Sequence, residues 1–270
     1  MKVRQILNTH GLMAKKSLGQ NFICDESFVQ RIVKQSGVGP DDTVLEIGPG
    51  LGVMTRVLGE RSARVIALEI DGQLLDYLRS SAHLPENVTL VHTDALRYDW
   101  GTLPAECRVI ANLPYNISSQ ILMAIVEHHQ LVQSFSVMLQ REMALRAMGE
   151  SGTKDFGPLA IYLRLYYDLE LSISRIPPSV FYPAPGVESS VLQGRRLPQP
   201  RFPVGDFVRF QKLVRLSFSH RRKTLKNNYR GTTWFETFMD QAPALGISPE
   251  LRAEALSLEQ FYLLYRLLED

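Results

Sequence analysis

Short apolar runs alternate with amphipathic segments along most of the chain. Five runs rich in β-branched residues have the length of strands, and they lie at Thr43–Ile47, Arg64–Leu68, Val88–His92, Arg108–Leu113 and Phe135–Gln140. Helix-like spacing occurs before the first run, from Asp25 or Glu26 to Ser36, and between later runs at 53–60, 71–82 and 118–130. Nearly continuous apolar strands separated by helices indicate a parallel sheet covered on both faces. The pattern therefore predicts a doubly wound, Rossmann-like α/β fold.

The pattern changes towards the C-terminus. A proline-rich stretch, Ile176–Gly186, precedes a strand-like run at Ser189–Gln193, and Arg195–Pro203 has the proline content of a linker. Beyond it, 205–218, 219–229 and 257–269 show helical spacing without strand alternation. We therefore predict an α/β domain over 1–200 and a small all-helical domain over 201–270.

Composition narrows the class of protein. The 270 residues are 45% hydrophobic and 21% charged, which is ordinary for a globular chain. Cys24 and Cys107 are the only cysteines and no signal-peptide pattern precedes them, which argues against a secreted disulfide scaffold and predicts the cytoplasm. The charge-free stretch Val109–Val126 contains Asn, Pro, Ser and Gln, so we expect no membrane span.

The net charge of +2 conceals two basic segments. Residues 1–20 carry four cations and no acid, and residues 205–230 carry eight basic residues against one acid, a local charge of +7. The other 224 residues hold 18 basic and 27 acidic side chains, a net charge of −9. Either segment taken alone would be interpreted as a solvated face. Together the two segments suggest a nucleic acid or another polyanion as partner.

Three strand ends have the residue types of a nucleotide-type cofactor site. Gly48, Gly50 and Gly52 follow the first run, where glycines allow a tight turn and a close approach of the backbone to a ligand. Glu69 follows 21 residues after Gly48 and can accept the hydroxyls of a ribose, and Asp94 ends the third run. Both a dinucleotide and S-adenosylmethionine fit this pattern.

The segment Asn112-Leu113-Pro114-Tyr115 at the fourth strand end favours the second cofactor. Such a segment can be a simple turn, but next to a cofactor it suits the amine of an adenine. That amine is a poor nucleophile, and an Asn side-chain oxygen and a backbone carbonyl beside proline can accept its N–H groups and orient it. A tyrosine can stack on an extruded base.

Five motifs in order resemble the KsgA family of small-subunit ribosomal RNA adenine N6,N6-dimethyltransferases. The segment Asn112–Tyr115 is similar to the [DNS]-P-P-[FYW] class of adenine-N6 methyltransferases, and Leu45–Gly52 is the glycine-rich turn. The remaining three motifs are AKKSLGQNFI at 14–23, FYPAPGVESSV at 181–191 and RRKTL at 221–225. The resemblance covers roughly residues 10–268 and departs from the family at Ile23, where leucine is usual, and at Gly186, where lysine is common.

The resemblance implies a role for each matching residue. It implies S-adenosylmethionine as cofactor, with contacts from Asn21, Ile23, Gly48, Gly50, Glu69, Asp94 and Asn112. Asn112, Leu113 and Pro114 would surround the target amine, with Tyr115 stacked on the base and Phe181 facing it from the other side. The rival interpretation of Phe181 is an ordinary core aromatic. Arg221, Arg222 and Lys223 would contact RNA. The implied partner is small-subunit ribosomal RNA in an assembling subunit, modified by a monomer at two adjacent adenines near the 3′ end.

Three other functions stay open at this point. A large-subunit ribosomal RNA adenine methyltransferase shares the fold and the QNF segment, although Gly19 and the long basic C-terminal segment favour the small subunit. A non-catalytic ribosome assembly factor could retain the cofactor fold, and an NAD-dependent dehydrogenase is the third option. The histidines show no metal-ligand spacing, so we predict no metal site.

Overall fold

A computed structural model describes residues 3–268. Its main sheet has seven strands in the order β4-β3-β2-β5-β6-β9-β7, and β1 and β8 pair separately. The strands are β1 Phe22–Ile23, β2 Thr43–Ile47, β3 Arg64–Glu69, β4 Val88–His92, β5 Cys107–Asn112, β6 Val132–Gln140, β7 Tyr167–Ile176, β8 Phe181–Tyr182 and β9 Ser189–Arg196. The helices are α1 Val3–Thr9, α2 Glu26–Gln35, α3 Val53–Gly59, α4 Gly72–Ser80, α5 Ser118–Glu127, α6 Arg141–Ala147, α7 Pro158–Tyr166, α8 Phe207–Ser217, α9 Leu225–Tyr229, α10 Phe235–Gln241 and α11 Leu258–Leu267.

The predicted doubly wound α/β fold is confirmed. Strands β2 to β6 are all parallel to one another, and β9 runs antiparallel to β6. Four of the five residues of β2 are buried, as expected for a strand covered on both faces. After β4 the chain crosses to the other side of β2 and continues with β5, so the sheet reverses its strand order between β2 and β5. Open α/β sheets bind ligands outside the carboxyl ends of strands at such a reversal.

Local capping explains why α2 begins where the sequence predicts. The Asp25 side chain accepts hydrogen bonds from the backbone N–H groups of Ser27 and Phe28, which satisfies two free donors of the first turn. The apolar face of the helix buries Phe28, Val29, Ile32 and Val33. This helix therefore covers one side of the sheet close to β1.

The chain divides into two compact units, Met1–Ala144 with Asp168–Arg196, and Leu145–Tyr167 with Leu197–Asp270. This division differs from the single boundary predicted after residue 200, because residues 145–167 belong to the second unit. Aromatic packing accounts for the difference. The rings of Tyr162 and Tyr166 in α7 each make an edge-on contact with Phe207 of α8, at 5.6 and 5.8 Å between centroids.

The predicted helix over 219–229 is wrong in its first half. The chain turns after α8, and α9 covers only Leu225–Tyr229. The buried Asn228 side chain donates to the carbonyl of Ser217 at 2.6 Å and lies 3.4 Å from that of His220. The first bond satisfies the last carbonyl of α8 and the second reaches the segment after it, so the arginines that follow lie in a turn.

Candidate active site

The carboxyl ends of β2, β3, β4 and β5 surround a cavity of about 250 Å³. Ten of the eleven predicted residues of the catalytic and cofactor sites line it, namely Asn21, Ile23, Gly48, Gly50, Glu69, Asp94, Asn112, Leu113, Pro114 and Tyr115. They come from four strand ends and from the N-terminal segment that precedes α2. The parallel sheet brings them together because its strand ends share one edge.

The glycine-rich turn lets the backbone form one wall of the cavity. Gly48 and Gly50 have φ angles of +69° and +58°, in the left-handed region that favours glycine. A Cβ atom on Gly50 would lie 3.1 Å from Cδ1 of the Phe22 ring. Larger residues would therefore strain the turn or displace the aromatic ring beside it.

Glu69 presents a fixed, buried carboxylate to the cavity. It is 4% exposed, its Oε1 accepts the Asp71 N–H at 2.8 Å, and its Oε2 lies 3.4 Å from the Gly50 nitrogen. Burial raises the pKa of Glu69, while the N–H groups of Asp71 and Gly50 offset part of the rise. Each oxygen has a further lone pair, so the carboxylate can accept two ligand hydroxyls without moving.

Asp94 lies two residues beyond β4, whose last residue, His92, pairs with Glu69. The Thr93 N–H donates to the Glu69 carbonyl at 3.0 Å, which links the two strand ends. Oδ1 of Asp94 accepts the Leu96 N–H at 2.9 Å, and the nearest cation, Arg97, is 4.0 Å from Oδ2 and 88% exposed. Oδ2 can therefore accept a hydrogen bond from an exocyclic amine of a ligand.

The Asn112 side chain is oriented by the N-terminal segment. Its Nδ2 donates to the Asn21 carbonyl at 2.9 Å, so its Oδ1 is left to accept a hydrogen bond from another group. The Pro114 carbonyl already accepts from Ile117 N and Ser118 Oγ, at 3.2 and 3.1 Å. The backbone acceptor beside Asn112 is therefore the Leu113 carbonyl.

Two residues without a role predicted from the sequence, Ser189 and Glu46, also lie at the site. The fully buried Ser189 hydroxyl hydrogen-bonds to the phenol of Tyr115 at 2.7 Å, and burial raises the pKa of that phenol. Glu46 lies in β2 and lines the cavity, although it is only 2% exposed. Both belong to quoted motifs, but a role for either depends on contacts that spacing alone does not give.

Phe181 does not reach the cavity. Its ring is 3% exposed and packs with Ile23, Phe28 and Val29 in the hydrophobic core. Pairing of β1 with β8 places Phe181 opposite Ile23 and turns its side chain to the core face. Phe181 therefore lies in the core outside this cavity, and a role for it at the target base stays a prediction.

The sequence profile of the family described as "Ribosomal RNA adenine dimethylase" matches residues 11–270. The chain belongs to this family. Relatives named "Ribosomal RNA small subunit methyltransferase A" include one from Clostridium botulinum (strain Loch Maree / Type A3), 36% identical over 265 residues, which are 97% of this chain and 96% of the relative. Another, from Streptococcus pneumoniae (strain P1031), is 40% identical over 275 residues and covers 96% of this chain and 93% of its own.

Two solved structures share the fold of this dimethylase. A dimethyladenosine transferase from Plasmodium falciparum has a TM-score of 0.73 at 21% identity, covering 90% of this chain and 95% of its own. The 23S rRNA methyltransferase ErmE has a TM-score of 0.70 at 24% identity, covering 93% and 100%. The family confirms the predicted class of enzyme, an S-adenosylmethionine-dependent ribosomal RNA adenine dimethyltransferase, and argues against a dehydrogenase.

The basic turn of the dimethylase lies in its second unit, and its three cations differ in their contacts. The Arg221 guanidinium donates to the carbonyls of Lys154 and Phe156, at 2.7 and 3.0 Å, and lies 3.7 Å from Glu254. Arg222 and Lys223 are exposed and have no ion pair within residues 3–268. Arg221 is therefore held by its own unit, whereas the other two side chains are available to a ligand.

One of the N-terminal cations is held in the same way as Arg221. Lys2 lies outside the described residues, and Lys15 forms an ion pair with Asp71 at 2.6 Å.

Over residues 3–268, no helix is long and apolar enough to cross a membrane. The same residues contain no group of three or more His, Cys, Asp and Glu side chains that could hold a metal ion.

Proposed function

We propose that this enzyme dimethylates the N6 of two adjacent adenines near the 3′ end of small-subunit ribosomal RNA during subunit assembly. The observation that best supports this function is the orientation of Asn112, whose amide nitrogen donates a hydrogen bond to the Asn21 carbonyl. Its oxygen and the Leu113 carbonyl are then two acceptors for the N–H groups of one adenine amine. Two acceptors on one amine hold its lone pair in a chosen direction, which is the alignment that methyl transfer requires.

The cavity suits the cofactor by the chemistry of its donors and acceptors. Glu69 would accept the ribose hydroxyls, Asp94 the adenine amine, and the turn at Gly48 and Gly50 would approach the methionine part. Asn21 and Ile23 would close the N-terminal side. When bound, S-adenosylmethionine supplies a methyl group activated by its sulfonium.

The target base would be held by Tyr115 and the two acceptors. The bond from Tyr115 to Ser189 fixes the phenol end, so the ring can act as a stacking platform at the cavity. Pro114 stiffens the same turn because it fixes its own φ angle. No strong base is needed, because the amine loses its proton after it has become cationic.

RNA docking would use the exposed cations of the basic turn, chiefly Arg222 and Lys223. Phosphate contacts of this kind provide affinity and position, and they carry little sequence information. Arg221 would support the turn from behind through its carbonyl contacts.

The decisive experiment compares ribosomal RNA from cells with and without this protein by mass spectrometry. Purified protein is also incubated with undermodified small subunits, large subunits and each free RNA. The proposal expects loss of N6,N6-dimethyladenosine at two adjacent positions of small-subunit RNA in the deleted cells, and its restoration in vitro. Methylation confined to large-subunit RNA would contradict the proposed substrate, and unchanged RNA with no transfer in vitro would contradict the activity.

A further inference from the structure

Asp71 makes more contacts than its helix cap requires. It precedes α4 and is 3% exposed, and its Oδ1 accepts the Gln73 N–H at 3.1 Å, which caps the helix. Two side chains from a distant part of the chain also reach this carboxylate. Lys15 Nζ lies 2.6 Å from Oδ1, and Gln20 Nε2 donates to Oδ2 at 2.9 Å.

These contacts anchor a segment that we call the N-terminal strap, residues 15–23. The Gln20 side chain also accepts the Lys15 backbone N–H through Oε1 at 2.8 Å, which closes the strap into a turn. Gly19, at φ +64°, lies so close to the turn that follows β5 that a Cβ atom there would be 3.0 Å from Asn116 Oδ1. The strap therefore lies against both Asp71 and the turn that follows β5.

The two ends of the strap reach different parts of the active site. At one end, Lys15 and Gln20 of the strap are bound to Asp71. The backbone N–H of Asp71 in turn donates to Oε1 of Glu69, the carboxylate assigned to the cofactor ribose. At the other end, the Asn21 carbonyl accepts the Asn112 amide at 2.9 Å. Hydrogen bonds and the short strap thus connect the cofactor carboxylate to the amide that orients the target amine.

The electrostatics favour this anchoring. Burial would raise the pKa of Asp71, but hydrogen bonds from Lys15, Gln20 and the Gln73 N–H, together with the Lys15 charge, outweigh it and lower the pKa. The Lys15 side chain is 39% exposed and the Asp71 side chain only 2%, so the loss of the lysine charge would leave a buried carboxylate without its cation. Ordering the strap costs conformational entropy, which these contacts offset.

We propose that Lys15 and Asp71 are positioning residues for methyl transfer, because they hold the strap whose Asn21 carbonyl orients Asn112. The inference rests on the proposed role of Asn112. Neither Lys15 nor Asp71 lies in the predicted set of site residues, and neither needs to touch the substrate. Their effect should therefore appear in the rate at saturating substrates.

The test measures single-turnover methylation at saturating S-adenosylmethionine and RNA. Lys15→Met and, as a second variant that keeps the helix cap, Asp71→Asn should each lower the rate by about 10- to 100-fold, as expected for a misaligned amine. RNA affinity should change less than about twofold, because a phosphate contact is not what is lost. Lys15→Arg should recover most of the rate, and hydrogen exchange of residues 15–21 should accelerate in the two slow variants only.

The matched control is Lys34→Met, which removes the same charge from an exposed position in α2. It should leave the rate and the exchange of the strap unchanged. Lys15→Met with a wild-type saturated rate, or with weaker RNA binding as its only defect, overturns the inference. Asn112→Ala is measured in parallel: a preserved rate there would refute the proposed role of Asn112, whereas a slow Asn112→Ala beside a normal Lys15→Met refutes only the strap.

Discussion

Glu46→Gln should remove a pH dependence of stability that originates in β2. Glu46 is 2% exposed, and its Oε2 has no hydrogen-bond partner within residues 3–268. Burial raises the pKa of Glu46 from 4.5 to about 8, the Thr55 hydroxyl offsets part of the rise, and the Glu69 carboxylate adds to it. The folded protein therefore keeps a proton on Glu46 at neutral pH that the unfolded chain releases.

The size of the effect follows from these two pKa values. Because the folded state binds this proton more tightly, the stability that Glu46 contributes is greatest below pH 4.5 and is lost as the pH rises to about 8. This contribution to the free energy of unfolding should fall by about 1.4 kcal/mol per pH unit within this window. Between about pH 5.5 and pH 7.5 the wild type should thus lose about 3 kcal/mol relative to Glu46→Gln, which has no proton to release.

Urea unfolding, followed by circular dichroism at several pH values, measures this difference. Glu60→Gln, at an exposed position just after α3, is the control and should track the wild type. Parallel curves of unfolding free energy against pH for the wild type and Glu46→Gln would refute the reasoning. A charged Glu46 in the folded state would then have to find a partner that the structure does not show.

Four further predictions concern the cavity and the basic turn. Glu69→Gln should weaken S-adenosylmethionine binding by about 10-fold or more, since a charge-assisted pair of hydrogen bonds is lost; unchanged affinity in calorimetry would contradict the ribose assignment. Asn112→Ala should lower the single-turnover rate far more than RNA affinity, and a loss of affinity alone would make it a docking residue. Arg222→Ala with Lys223→Ala should reduce the slope of log K for RNA against log salt by about 0.7–0.9 per lost phosphate contact, and an unaltered slope would exclude these cations. Arg221→Ala should mainly lower the thermal stability of its unit, because its carbonyl contacts are lost, which a melting curve checks.

Local sequence predicted most of the sheet and its helices. The strands at Thr43–Ile47 and Val88–His92 have the predicted bounds, since short buried β-branched runs are a strong local signal. The edge strand β7 was missed, because most of its residues are exposed or only partly buried, so it lacks the continuous apolar run that marks the central strands. The formation of such a strand depends on its packing and pairing in the sheet more than on its own sequence.

The motifs of the sequence determined the class of cofactor and the ten residues that meet at the cavity. Strand-end residues in a parallel sheet converge on one edge, so their position along the chain already implies their proximity. The tertiary structure decided the features that depend on contacts between residues distant in the sequence. Pairing of β1 with β8 turned Phe181 to the core, the Asn228 bonds to the end of α8 placed the arginines in a turn, and folding of the strap brought Lys15 to Asp71. The physical reason is that side-chain direction and ion pairing depend on neighbours distant in sequence, whereas strand formation depends mainly on adjacent residues.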